Sequence, residues 1–404
     1  MSTTPAAPSS PTPTPLTGNL TAFWRRLSQG DIGSLPVIAG LVVIWLVFYF
    51  LNPLFLSAGN LTNLATQVAD IGIVSVGIVL VLLLGEIDLS VGSVYGLCSA
   101  ITALLSYQKG WPAFPAIAAG LVVGAAIGTF QGFFFTRFKI PSFVVTLAGL
   151  LTWFGAQLHV MGETGTINIQ DPTILNLAGY SFSANVGWGI AIVVAVILAI
   201  DLFVRRRRRA GAGLPQTGLV GDVVKFVAIV AVLFAAVAVL VSYHGVPLSL
   251  LILLAFVAGF DIITTRTKFG RHIFAVGGNA EAARRAGISV NGIRIAVFAL
   301  CGTMAAAGGI MGASRVLEVR YWSGTGDTLL NAIAGAVIGG TSLFGGRGTV
   351  WSALTGALII GSINNGLALL SAASDVKFMV TGGVLLAAVT IDAVARQGRQ
   401  RAGV

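Results

Sequence analysis

Apolar residues in this chain come in long, nearly unbroken runs, separated by short polar or glycine-rich breaks. A run of about 18 or more apolar residues is long enough to cross a bilayer as a helix. Read this way, the pattern predicts twelve spans: 35–56, 67–84, 89–107, 113–136, 141–161, 187–204, 223–243, 247–265, 293–314, 328–344, 349–370 and 377–394. The runs lack the residue-by-residue alternation of a membrane β-barrel. The predicted fold class is an all-α, polytopic membrane protein.

Composition agrees with the pattern. Of 404 residues 56% are hydrophobic and 9% charged, with a mean hydropathy of +0.92, whereas a soluble domain carries about 25% charge. Residues 1–30, rich in Ser, Thr and Pro, read as a disordered tail. Residues 31–396 form the membrane domain, and 397–404 a basic tail. Cys98 and Cys301 both fall inside apolar runs, which points to packing rather than a disulfide. His159, His244 and His272 are scattered and show no metal-ligand spacing. No P-loop motif occurs, so a role in ATP-driven work would need hydrolysis by another subunit.

The net charge of +10 reflects where Lys and Arg sit along the spans and is no sign of nucleic-acid binding. With both termini in the cytoplasm, twenty of the 24 cations fall inside, and only Lys109, Arg315, Arg320 and Lys377 outside. The positive-inside rule selects that orientation. The five arginines 205–209 read as a topology anchor beside anionic lipid.

The longest basic break holds GGNAEAARRAGI, residues 277–288. Asn279 can cap a short helix and Gly287 can end it. Gly278, Asn279, Glu281, Ala282, Ala283 and Gly287 therefore mark either an ordinary loop or a contact between the spans and a soluble partner. Two other breaks echo each other, GEIDLSVG (85–92) and GGTSLFGG (339–346). Glu86, Asp88 and Ser90 in the first read as groups facing cytoplasmic water, with Asp88 or Ser90 capping span 3. The alternative is a functional site, since acids beside a membrane span are costly. Asp70 is placed near the outer interface, hydrated. Asn331, Thr341, Ser342, Asn364 and Asn365 could hydrogen-bond a polar solute, or merely join helices. Asn364 and Asn365 point about 100° apart, so at most one can line a path. Glycines 120, 124 and 128 mark a packing seam.

GGNAEAARRAGI, GEIDLSVGS and AIAGAVIGGTSLFGGRGTVW together resemble the permease subunits of bacterial ATP-binding-cassette monosaccharide importers of the ribose, xylose and galactose type. The extra pair of spans around 187–243 and the run ending SINNG are most similar to the D-xylose branch. Two departures stand out: only the first half of the wider importer coupling motif is present, and Glu86 replaces a glycine of the usual GGIDLSVG.

The resemblance implies an importer permease fold. It also implies a homodimer, a cytoplasmic ATPase that carries ATP and Mg²⁺, a periplasmic sugar-binding protein and a bacterial inner-membrane location. The helix from Asn279 to Gly287 would couple the ATPase to the spans. Arg315 and Arg320 would dock the binding protein, and the chain itself would carry no catalytic group or metal. A proton-coupled sugar carrier is the alternative; it would want paired ionisable groups in the spans, and the sequence pairs no base with Asp70 or Asp261. A membrane transferase would want a second cluster of acids to match Glu86 and Asp88.

Overall fold

The computed structural model describes residues 35–213 and 218–401; the expected tail 1–30 and residues 402–404 lie outside them. In chain order the helices begin with α1 (Leu35–Leu51), α2 (Ala58–Leu83), α3 (Val91–Ala103), α4 (Ala113–Phe138) and α5 (Ser142–Met161). Next come α6 (Pro172–Gly179), α7 (Ala184–Gly211), α8 (Leu219–Val241), α9 (Leu248–Arg266), α10 (Lys268–Gly278) and α11 (Ala280–Arg285). The last are α12 (Val290–Val316), α13 (Asp327–Ile338), α14 (Trp351–Leu369) and α15 (Ser374–Arg401). Each predicted span maps onto one helix, and eight of the helices are long and apolar enough to cross a membrane unaided.

The boundaries shift where local chemistry outweighs hydropathy. Span 1 stops at Leu51 because Asn52 caps a 3₁₀ turn opened by Pro53. The next helix starts at Ala58, nine residues before the predicted start, because the Ser57 hydroxyl accepts from the Asn60 amide. Span 6 continues through the arginines to Gly211, where Arg205 pairs with Asp201 and Arg206 with Asp222. Span 10 is only the twelve residues of α13, since Gly339 and Gly340 end it. A polar segment follows span 5. It holds α6, β1 (Thr166–Asn168) and β2 (Ser181–Phe182). β1 pairs antiparallel with β4 (Glu318–Arg320), and β2 with β3 (Val246–Pro247).

α2 is the axis of the bundle. Its most apolar stretch is 83% buried, and it packs against α9, α12, α13 and α14. α7 and α8, the extra pair, lie at the edge with only 11% of that stretch buried. Lipid is as apolar as leucine, so helices associate here by close packing. One close seam joins α4 to α12: a Cβ on Gly128 would sit 2.0 Å from the Phe298 carbonyl oxygen.

Candidate functional site

Three breaks meet at one end of the bundle. In the first, 84–90, six of the seven backbone N–H groups find an acceptor. Leu84 and Glu86 donate to Val81 O, and Gly85 to Leu82 O. Ile87 donates to Ser142 Oγ, Leu89 to Thr146 Oγ1 and Ser90 to Asp88 Oδ1. Hydroxyls from the first turns of α5 thus replace the missing helical carbonyls. The expectation that the acids face water is overturned. Asp88 is 5% exposed and takes the Ser90 hydroxyl at 2.6 Å, while Ser90 accepts from Gln131 Nε2 at 2.9 Å. Asp88 thereby shapes the turn into α3, and Ser90 makes no side-chain cap. Glu86 forms a 2.7 Å ion pair with Arg294, whose guanidinium also covers the Phe135 ring.

The second break, 339–350, bends through left-handed backbone at Gly340, Gly345, Gly346 and Gly348, conformations that side chains resist. Ser342 donates its amide to Arg347 O and accepts from Phe344 N. Thr341 is buried, with its hydroxyl unpartnered. The two breaks touch: Gly346 N donates to Leu83 O at 2.9 Å. Gly277, near the end of α10, closes the junction, and a Cβ there would stand 1.8 Å from Leu83 O and 2.8 Å from Gly346 N.

α11 projects from this junction. Asn279 Oδ1 accepts from Ala282 N at 2.9 Å, so the cap forms as its residue type predicts. At the other end Gly287 has φ +81°, Gly287 N donates to Arg284 O and Ile288 N to Ala283 O, which is a Schellman close. Ala283 turns inward, whereas Gly278, Glu281 and Ala282 are exposed. Glu281 is shared by Arg284 and Arg285.

At the opposite end, a cavity of about 370 Å³ opens between α2, α13, α14 and α15. Gln67, Asp70, Arg315, Asn331, Asn364 and Lys377 supply much of its polar lining. Asp70 is 3% exposed and bound by Arg315, with Nη2 at 3.0 Å and Nε at 3.3 Å from one carboxylate oxygen. The expectation of a hydrated Asp70 without a basic partner is therefore wrong, because α12 delivers a cation from 245 residues away.

A family described as the branched-chain amino acid transport system / permease component matches residues 60–389. The xylose transport system permease protein XylH of Escherichia coli K12 is 36% identical over 89% of this chain and 92% of its own. XylH of Haemophilus influenzae is 35% identical over 84% of this chain and 90% of its own. The ribose import permease protein RbsC of Escherichia coli K12 is 32% identical over 88% and 92%. The chain belongs to this permease family. No solved structure matches it.

The permease separates the predicted site residues into two groups. Gly278 to Gly287, Glu86, Asp88, Ser90, Thr341 and Ser342 gather around the junction of breaks. Asn331 and Asn364 line the cavity at the other end. Asn365 turns away, accepting from Asn60 Nδ2 and donating to Gln67 Oε1. Arg315 is held by Asp70 and Arg320 by Glu318, so neither offers an uncommitted charge for docking. The sequence reading overlooked Gln67, Tyr95, Lys377 and Thr381, which also line the cavity. Gln67 lies one turn before Asp70 on α2, and Lys377 and Thr381 lie one turn apart on α15, a spacing that was the available signal; Tyr95 on α3 gave none.

Proposed function

We propose that the permease is the membrane subunit of an ATP-driven monosaccharide importer, with D-xylose as its sugar. The observation that carries this is its 36% identity to a xylose permease along 89% of the chain. In this reading it works as a homodimer with both termini cytoplasmic. A cytoplasmic ATPase holds the nucleotide and Mg²⁺, and a periplasmic binding protein delivers the sugar.

The junction supports a coupling role for α11. An ATPase gripping its exposed face would push through α10 and Gly277 directly on both breaks. A neighbouring apolar cavity of about 260 Å³, lined by Leu82, Leu343 and Leu385 among others, lies against those breaks. Movement of the breaks would therefore open or close it, a two-state gate biased by nucleotide.

The test is uptake by proteoliposomes holding the permease, its ATPase and its binding protein. D-xylose accumulation that needs internal ATP and survives an uncoupler is expected. The buried Asp70–Arg315 pair suits the proton-coupled alternative, which the relatives do not favour. Uptake abolished by the uncoupler at constant ATP would establish that alternative and overturn the importer.

A further inference from the structure

The cavity between α2, α13, α14 and α15 has the chemistry of a ligand site, and the role of a general path does not use all of it. Its volume of about 370 Å³ lies within the range of small-molecule pockets. Asn331 on α13 is 3% exposed, lines the cavity, and its Oδ1 has no hydrogen-bond partner. An unpaired buried amide oxygen is costly unless a ligand or water satisfies it. Asn364 on α14 brings a second amide, and Thr381 on α15 a hydroxyl.

The charges lining the cavity are two acids, Asp70 and Asp327, and two bases, Arg315 and Lys377. Their formal charges cancel, so the cavity favours neither an anion nor a cation. Carboxylate, guanidinium, amide and hydroxyl together both donate and accept, as a row of sugar hydroxyls requires. Phe378 adds an apolar ring face for the C–H side of a pyranose.

From this geometry we infer that the permease carries its own saccharide-binding subsite. In it Asn331, Asn364 and the Asp70–Arg315 pair hydrogen-bond an uncharged monosaccharide after its release from the binding protein. The inference rests on the importer reading and adds a second point of sugar recognition, inside the membrane subunit.

Three of the helices around the subsite explain why the sugar would pause there. α2, α13 and α15 run in one direction, and each turns from polar to apolar along its length. Ile71 lines the subsite and Ile78 the apolar cavity below; Thr381 and Leu385 are so related on α15. At 1.5 Å per residue the two chambers are about 6–10 Å apart. The lower one offers a sugar almost no hydrogen-bond partner, so it acts as a barrier and not a second resting place.

The experiment compares Asn364→Ala and Asn331→Leu with the unmodified complex in proteoliposomes, at saturating D-xylose-loaded binding protein. Two readouts are taken, sugar uptake and the ATPase activity stimulated by the binding protein. Each variant is expected to lower uptake about tenfold, the effect of one or two lost hydrogen bonds, while stimulated ATPase stays within twofold. Uptake unchanged in both variants overturns the subsite. So does a parallel fall in uptake and stimulated ATPase, which marks a structural role. Asn364 is half-buried on its helix, so Asn364→Ala decides the matter if Asn331→Leu fails to assemble. An unmodified complex that hydrolyses ATP but accumulates no sugar refutes the importer reading instead.

Discussion

Gly277→Ala tests the junction most directly. A methyl group there would lie 1.8 Å from Leu83 O, 2.9 Å from Leu83 C and 2.8 Å from Gly346 N. All three neighbours are backbone atoms, so no side chain can rotate aside. To reach ordinary contact, one break must retreat by about 1.5 Å. That separates Gly346 N from Leu83 O, a 2.9 Å hydrogen bond that joins the two breaks. Overpacking costs about 1–3 kcal/mol, and the lost bond about 1 kcal/mol more. Alanine returns about 0.5–1 kcal/mol in helix propensity. A net loss of about 1–3 kcal/mol remains, which is a factor of about 5–150 in an equilibrium.

The adjacent glycine supplies the control, because a Cβ on Gly278 meets nothing within 4 Å. The detergent-purified permease is melted as Gly277→Ala and as Gly278→Ala. The first should melt about 2–6 °C below the unmodified chain, and the second at or slightly above it. In the assembled complex Gly277→Ala should also lower uptake per ATP hydrolysed. Equal melting of the two variants would refute the account of the junction.

Three further outcomes are expected. Asp70→Asn should destabilise the permease by about 1–2 kcal/mol, below the usual loss for a broken buried pair because the Arg315 side chain is 34% exposed. A double-mutant cycle with Arg315→Gln should return a favourable coupling energy, read by melting. Glu86→Gln should cost about 1 kcal/mol by the same measure through loss of the Arg294 pair, and Glu86→Gly, which restores the glycine of the related motif, should cost at least as much. Asn279→Ala should loosen α11 by about 1 kcal/mol, seen as faster amide exchange at 282–286 with little change in the melting of the whole chain.

What the sequence revealed was what short-range chemistry decides. The cap at Asn279, the close at Gly287 and the divergence of Asn364 from Asn365 each depend on a few neighbouring residues. The glycine seam of α4 was legible because small residues recur every fourth position. α10 escaped notice although Phe269, Ile273 and Val276 already had helical spacing, since the glycines and basic residues around them read as a loop. The short α13 was hidden by hydropathy, which scores AVIGGTSLF as one apolar run and cannot see that the paired glycines turn the chain. Ion pairs between residues hundreds of positions apart lie beyond any local pattern. Asp70 with Arg315 and Glu86 with Arg294 could be found only once the helices were packed.

Glu86 and Asp88 show how an irregular segment survives inside an apolar bundle. Non-helical backbone at membrane depth is tolerated only where protein satisfies it. In the first break the Ser142 and Thr146 hydroxyls and the Asp88 carboxylate accept the N–H groups that a continuous helix would have bonded to carbonyls. Such bonds come from side chains that can rotate, so they can follow a shift of the backbone that a helical ladder could not. Glu86 then fixes the break to the start of α12 through Arg294. α12 is also the helix that holds Asp70 through Arg315 at the opposite end. One rigid helix of 27 residues therefore carries an ion pair to α2 near one end and to the first break near the other. On the importer reading, a push at α11 that moves the breaks must load α12 as well, so the sugar subsite and the coupling helix share a mechanical element. That sharing gives the acid at position 86 a physical role.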